Sequence, residues 1–196
     1  MMRFVALLLA LGLLMASCNR TPAPIDPASA QAVKVQLNIL RDTVAARWSE
    51  MQQSDDGKQR DTKQLLRELS GLPGTDRAAL ARLQYANDRL PTRRYTQQTM
   101  ADSGLIDAYD SAQDSLLQAV YGLVPLPTSP NVEATPVLML TGQIQEADAE
   151  LVGFRSRYDQ AAMRFNNYLQ LHQAEIQQLG SKYAQLQPLP LFTLHN

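Results

Sequence analysis

The strongest constraint on the fold is a long heptad pattern near the C-terminal end of the sequence. Two apolar series, each recurring every seven positions, fill the inward positions of the heptads: Val137, Leu140, Ile144, Ala147, Leu151, Phe154, Tyr158, Ala161, Phe165 and Tyr168. A repeat sustained over about four heptads is typical of coiled-coil-like packing. Thr135 suits the N-cap and Pro136 the first helical position, so we expect a helix from Pro136 to Leu179, roughly 65 Å long. His172 and Glu175 interrupt its apolar pattern.

A second apolar stripe follows Ser29, with steps of three and four residues that are typical of one buried helical face. Its members are Val33, Leu37, Leu40, Val44, Trp48 and Met51. Residues 52–64 carry no apolar side chain, and Leu65, Leu66 and Leu69 then resume the stripe. Ser54-Asp55-Asp56-Gly57 is compatible with a turn within this polar stretch. A solvated part of one long helix is also compatible with the residues, since a single glycine costs only about 1 kcal/mol.

Two shorter helices are expected between these long ones. Thr75 or Asp76 can cap the second helix, whose inward residues are Leu80, Leu83 and Leu90. The third helix is expected to start near Ser103, with an inward side formed by Leu105, Ile106, Tyr109, Leu116, Val120 and Tyr121. A long helix needs a long partner, so the sequence predicts an all-α fold, an elongated antiparallel helical bundle with long first and last helices. Within it we expect Leu151, Phe154, Tyr158 and Phe165 to face Val44, Trp48 and Met51, with Arg155 off the stripe.

The N-terminal residues predict export and a lipid anchor. Arg3, an apolar run and Met15-Ala16-Ser17 form the three regions of a secretory signal. The run is shorter than the roughly 20 residues that cross a bilayer. Leu14-Met15-Ala16-Ser17-Cys18 resembles a lipobox, in which the cysteine becomes the acylated N-terminus; Cys18 is the only cysteine of the chain. We therefore expect a signal peptide at residues 1–17, a lipidated tether at 18–27 and a helical bundle domain at 28–196.

The charge balance of the chain indicates the class of partner, and the residue after Cys18 indicates the membrane. The chain carries 18 Lys and Arg against 19 Asp and Glu, which argues against a nucleic-acid partner because such partners select basic surfaces. Asn19 follows the cysteine in place of the aspartate that retains lipoproteins at the inner membrane in enteric-type bacteria. The sequence thus favours the outer membrane, facing the periplasm, over the inner membrane.

No catalytic, cofactor or metal site is predicted. The two histidines, His172 and His195, have no neighbour at metal-ligand spacing except Glu175, and we interpret His172 as a partly buried polar break. No nucleophile motif or phosphate-binding glycine loop is present in the sequence. Asp148 and Glu150 lie at helical positions that face different ways, so they do not form an acid–base pair.

Three arginines flank the heptad pattern: Arg155, Arg157 and Arg164. They are compatible with an anion or partner site, but we favour a solvated face supported by Asp148, Glu150 and Asp159 at helical spacing. Tyr158 and Tyr168 are expected in the core with their hydroxyls at its rim. Ala147 and Ala161 could leave room for a ligand beside Phe154, although a close approach of two helices is the favoured interpretation.

The order of several segments resembles LemA-family proteins. Ala46-Arg47-Trp48 lies in the first helix, Leu65 to Leu69 follows, and the last helix carries two dyads, Tyr158-Asp159 and Phe165-Asn166, that are similar to the Tyr-Asn dyads of the family. Further similar segments are Ser129 to Ala134, Leu140 with Gln143-Ile144, Arg157 to Ala161, Arg164 to Tyr168 and the closing Pro188 to Phe192. The sequence departs from the family at Gly57 to Leu66, which has no proline, and at Ser129-Pro130, which replaces Tyr-Pro. The resemblance implies a membrane-tethered extracytoplasmic bundle and no assigned reaction.

These observations predict a lipid-anchored helical-bundle protein of the cell envelope that acts as a non-enzymatic interaction or scaffold module. The expected partners are the membrane, through the lipid anchor, and a protein partner or a second copy of the chain. The alternative is an envelope protein that binds a small molecule or lipid in the core of the bundle.

Overall fold

The computed structural model describes residues 29–125 and 135–192. These residues form helices and connecting turns, with no strand among them, which confirms the predicted all-α class. The expected signal peptide, the tether and Cys18 lie outside the described residues. So does most of the proline-rich loop before the last long helix, including Ser129 to Ala134.

The first helix, α1, spans Ala30–Ser70 and is about 60 Å long. Ser29 caps it, accepting a hydrogen bond from Ala32 N at 3.2 Å. The polar residues 52–64 lie inside this helix, so the turn considered for them is not formed. The inward face continues because its polar members are bonded: Thr62 Oγ1 donates to Lys58 O at 2.7 Å, and both residues are buried.

The last long helix, α4, spans Pro136–Leu171, with Thr135 as N-cap and a proline in its first turn, as predicted. The prediction that it continues to Leu179 is wrong. The helix ends at His172, whose φ of −113° and ψ of 27° are not helical. Two short helices follow, α5 at Gln173–Gln178 and α6 at Ser181–Ala184. The break falls where polar residues enter the inward positions, because continued heptad packing there would bury His172 and Glu175.

The two long helices pack against each other in antiparallel orientation. Lys58 Nζ lies 2.7 Å from Asp148 Oδ1, and ten residues earlier in α1 the Trp48 ring lies 5.3 Å from the Tyr158 ring, ten residues later in α4. Later residues of α1 therefore lie beside earlier residues of α4. The predicted long antiparallel pair is confirmed, and its buried side chains include Val33, Leu37, Val44, Ile144, Tyr158 and Phe165.

The middle of the chain forms a second layer on this pair. Helix α2, Arg77–Arg89, is capped by Asp76, which settles the choice between Thr75 and Asp76. Two 3₁₀ turns, Leu90–Arg93 and Thr99–Ala101, lead to α3, Ser103–Tyr121. Asn87 Nδ2 donates to Gln59 O at 3.2 Å and so links the end of α2 to α1. The prediction that Leu105 faces inward is wrong, since 41% of this residue is exposed.

Candidate functional site: an aromatic cluster beneath the closing segment

Five aromatic side chains from distant parts of the chain meet beside the middle of α1. We call them the aromatic cluster: Trp48, Tyr95, Tyr109, Tyr158 and Phe192. Trp48 stacks on Phe192 with ring centroids 6.4 Å apart and an interplanar angle of 13°. The neighbouring contacts are edge-on, at 5.6 Å between Tyr158 and Phe192 and 5.8 Å between Tyr95 and Tyr109. Such ring geometries add about 0.5–1.5 kcal/mol per pair beyond burial, so the cluster stabilises the junction of α1, α3, α4 and the chain end.

An arginine and two aspartates lie on one side of the cluster. Arg94 Nη2 is 2.8 Å from Asp55 Oδ2 and 2.7 Å from Asp56 Oδ1. Burial opposes the charge of Arg94, but the hydrogen bond to Asp56 and the charge of Asp55 outweigh it and raise the arginine pKa. The Tyr109 hydroxyl also donates to Asp55. Burial, and then the charge of Asp55, raise the pKa of Tyr109. The group therefore ties α1 to α3 and to the segment before it.

A second ion pair lies between α3 and α4. Arg155 Nη2 is 2.7 Å from Asp110 Oδ1 and donates to the Tyr95 hydroxyl at 3.3 Å. Its guanidinium lies 4.9 Å from the centre of the Phe192 ring, which is cation–π distance. The predicted solvated face is therefore wrong for Arg155. Arg155 lies off the heptad stripe of α4, but α3 covers it. The heptad pattern predicts only the contact between the two long helices, so it did not indicate this contact.

Lys58 forms a third link across helices. Its ammonium donates to Gln113 Oε1 at 2.6 Å and to Asp148 Oδ1 at 2.7 Å. Lys58 is 2% exposed, while the Asp148 side chain is 43% exposed. Lys58 thus lies in the core and Asp148 reaches solvent. Together with Gln113, the pair connects α1, α3 and α4. Asp148 therefore does not support the arginines of α4, contrary to the predicted surface pairing.

A small cavity lies between these groups. It is bounded by Trp48, Asp55, Arg94, Tyr109, Leu151 and Arg155, among others, and has a volume of about 20 Å³. This is room for about one water molecule. Two larger open grooves border residues 186–192: one of about 630 Å³ next to Asp107 and Phe192, and one of about 700 Å³ next to Gln97 and Leu189. Ala161, one of the two alanines that could have left space, is buried. The small cavity is not bounded by Ala147, Ala161 or Phe154, so the preference for a close helix approach at these alanines stays a prediction.

Residues 186–192 cover the cluster, and we call them the closing segment. Asn166 bonds it twice, donating from Nδ2 to Leu189 O at 2.8 Å and accepting from Leu189 N at 2.7 Å. The Tyr158 hydroxyl donates to Pro190 O at 3.2 Å, and Phe192 N donates to Asp159 Oδ1 at 2.8 Å. All four bonds reach the main chain of the closing segment, so they hold its backbone path whatever its side chains are.

The dyads of the last helix acquire a structural role here. The second residue of each dyad, Asp159 or Asn166, binds the closing segment, and the first, Tyr158 or Phe165, lies in the core. A spacing of seven returns to the same face of the helix, so the two polar side chains point to the same partner. The sequence located both dyads and the Pro188–Phe192 segment but did not predict that they contact each other.

The remaining predicted residues lie elsewhere. Tyr168 is half-buried and its ring centre is 4.3 Å from that of His172. His172 Nδ1 is 3.9 Å from Glu175 Oε1, at the predicted polar break. Within 29–125 and 135–192, no group of three or more His, Cys, Asp or Glu is placed to hold a metal ion. Cys18, the predicted lipidation site, lies outside the described residues.

Phe154 occupies a more open position than predicted. It is half-buried, and the Arg157 guanidinium lies 4.4 Å from the centre of its ring. Arg155, expected off the stripe, is packed more closely than this: its partners are Asp110 on α3, Tyr95 and Phe192. Leu151 is also half-buried, and it borders the small cavity together with Trp48 and Met51, as its predicted register requires.

Comparison with known family models, curated proteins and solved structures found no match for this chain. Searching the part of the chain that the structure describes for a membrane-spanning helix, we found none of sufficient length and apolarity.

Proposed function

We propose that the protein is a lipid-anchored, non-enzymatic interaction or scaffold module of the cell envelope, with Cys18 as its anchor. The observation that carries the non-enzymatic part is the pairing of the charges around the aromatic cluster. Arg94 with Asp55, Arg155 with Asp110, and Lys58 with Asp148 each join different parts of the bundle. Each of these charges has a partner of opposite sign inside the bundle, as buried charges need, and this supports a structural role for them.

The shape of the bundle supports an interaction role. Its two long helices present an extended surface of about 60 Å, on which several large apolar side chains are exposed: Val35, Ile39, Met139, Val152 and Leu171. Val35 and Ile39 lie four residues apart and thus on one face of α1. Such a face suits the packing of a partner helix. The resemblance to LemA-family proteins supports the same proposal, and we propose a divergent member of that family.

The anchor is tested by substitution in the full chain. We expect Cys18→Ser to move the protein from the membrane fraction to the soluble fraction, or to trap the uncleaved precursor, because two or three acyl chains are what hold such a protein. Asn19→Asp is the matched control: it keeps the anchor and, in a cell with two membranes, is expected to shift the protein to the inner one. An unchanged mature mass and unchanged fractionation of Cys18→Ser would refute the proposal.

The interaction role is tested by capture of the full chain from chemically cross-linked envelopes. We expect defined cross-linked species, containing a partner or a second copy, that are lost in the Cys18→Ser variant. Recovery of the anchored protein without any cross-linked species, including its own dimer, would contradict an interaction module.

A further inference from the structure

The charges of the bundle are unevenly distributed along its length. We call residues 29–45 and 160–184 the tether end, because they comprise the start of α1, which follows the expected tether, and the part of the chain that lies beside it. The tether end carries four basic side chains against two acidic ones, whereas the remaining described residues carry twelve against fifteen. One end of the elongated molecule is therefore basic and the remainder is acidic.

Two lysines lie close together at the tip of the tether end. Lys34 Nζ is 5.7 Å from the centre of the Tyr183 ring, and Lys182 Nζ is 6.0 Å from the same centre. Tyr183 is buried, so a ring held in the bundle brings the two positive charges together. Among the described residues, neither lysine forms an ion pair. Both ammonium groups can therefore attract an anionic partner outside the bundle.

The other charged side chains of the tether end leave this lysine pair unneutralised. Arg41 Nε lies 4.0 Å from Asp42 Oδ1, and His172 Nδ1 lies 3.9 Å from Glu175 Oε1, so both carboxylates lie beside other basic side chains. Arg164 is exposed and adds a further positive charge. The tether end thus presents a net positive charge to its surroundings.

The covalent chain places the tether end nearest to the proposed lipid anchor. Cys18 precedes Ser29 by eleven residues, so the two lie at most about 40 Å apart. Lys34 lies only about 6 Å further along α1, whereas Ser70, at the other end of that helix, lies about 60 Å beyond Ser29. An anchor at Cys18 therefore keeps the two lysines within reach of the membrane surface.

We propose that the tether end contacts anionic phospholipid head groups of the membrane that holds the anchor, with Lys34 and Lys182 at the contact. This inference rests on the proposed lipid anchor and adds an orientation to it. An anionic surface attracts basic side chains and repels acidic ones over about a Debye length, about 8 Å at physiological ionic strength. The basic tip is drawn to the surface and the acidic remainder is not, so the long axis of the bundle points away from the membrane.

The four lysines of the chain allow this contact to be measured in the wild-type protein. Full-length lipoprotein is reconstituted in vesicles of phosphatidylcholine, either alone or mixed with anionic phosphatidylglycerol. The vesicles are treated with N-hydroxysuccinimidyl acetate, an uncharged reagent that acetylates amines, and mass spectrometry gives the acetylation rate of each lysine. We expect the rates of Lys34 and Lys182 to fall severalfold when phosphatidylglycerol is present and to recover at high salt.

The other two lysines are internal controls. Lys63 lies in the second half of α1, where its pair with Asp88 is exposed on both sides, and it should react equally in the two kinds of vesicle. Lys58 is 2% exposed and should react slowly in both.

Each outcome decides the proposal. Equal rates for Lys34 and Lys182 in the two kinds of vesicle, with the protein retained on both, overturn the contact while leaving the anchor intact. A fall that includes Lys63 overturns the orientation, because the bundle then lies along the surface. Failure of the proposed anchor is seen separately, as protein that is not retained on vesicles of phosphatidylcholine alone.

Discussion

Lys58 shows how single polar residues hold this bundle together. Its ammonium lies in the core, bonded to Gln113 and Asp148 from two other helices. Lys58 lies within residues 52–64, which carry no apolar side chain, and this composition indicated a turn or a solvated part of the helix. A charged group can take an inward position when its partners replace water, and nothing in the local sequence indicates partners that lie 55 and 90 positions away.

Removal of Lys58 is expected to destabilise the fold. Lys58→Ala leaves Gln113 buried without its donor, at a cost of about 1–3 kcal/mol, while the half-exposed Asp148 regains water. Lys63→Ala is the control on the same helix: its pair with Asp88 is exposed on both sides, and such pairs contribute about 0–1 kcal/mol. Urea unfolding followed by circular dichroism measures both variants. Equal losses would mean that the Lys58 pair is not buried.

Tyr109 predicts a dependence of stability on alkaline pH. Burial and the charge of Asp55 raise its pKa above the ordinary value of about 10. The folded state therefore keeps the phenol proton to higher pH than the unfolded chain, so this stabilisation is complete below about pH 10 and is lost as the pH rises toward the folded-state pKa. We expect the free energy of unfolding to fall above about pH 10, and less steeply in Tyr109→Phe. Urea unfolding at a series of alkaline pH values gives both slopes, and identical slopes would contradict the assignment.

The helices themselves were largely predictable from the sequence. The stripe of α1, the heptads of α4 and the caps Asp76 and Thr135 depend on residues close together in the chain. The sequence showed that His172 interrupts the apolar pattern, but it did not show that the helix ends there. Whether a helix continues through a polar inward position depends on what packs there. Lys58 and Thr62 have partners and α1 continues, whereas α4 ends at His172.

Gly57 tests the continuity of α1. Its position is helical, and an added Cβ would meet only the Arg60 guanidinium, at 3.8 Å, which is ordinary contact. Gly57→Ala is therefore expected to stabilise the protein by about 0.5–1 kcal/mol, the difference between these residues in a helix interior. Thermal unfolding measures the change.

Gly180→Ala is the control for Gly57→Ala. Gly180 has the positive φ that a side chain disfavours, so this substitution is expected to destabilise. A loss of stability in Gly57→Ala would indicate a turn at residues 54–57 in place of the helix.

At the scale of the whole molecule, the sequence predicted the elongated antiparallel bundle but not the aromatic cluster. Periodicity reports which face of a helix is buried, and it assigned Trp48 and Tyr158 to the core. It does not report which distant residues meet there. Tyr95 and Tyr109 come from the shorter middle elements and Phe192 from the chain end, so the cluster depends on tertiary packing. The one local signal was the pair of dyads whose Asp159 and Asn166 bind the closing segment.

The central structural claim is that the closing segment covers the aromatic cluster, and Trp48 reports on it directly because it is the only tryptophan of the chain. Phe192→Ala removes the ring that stacks on Trp48. We expect the Trp48 emission maximum to move to longer wavelength and its quenching by acrylamide to increase severalfold, while circular dichroism keeps the helical signal. Leu171→Ala, at a position 78% exposed and outside the cluster, should leave both fluorescence properties unchanged. Unchanged emission and quenching in Phe192→Ala would show that the closing segment does not cover Trp48, and the account of the site would be wrong.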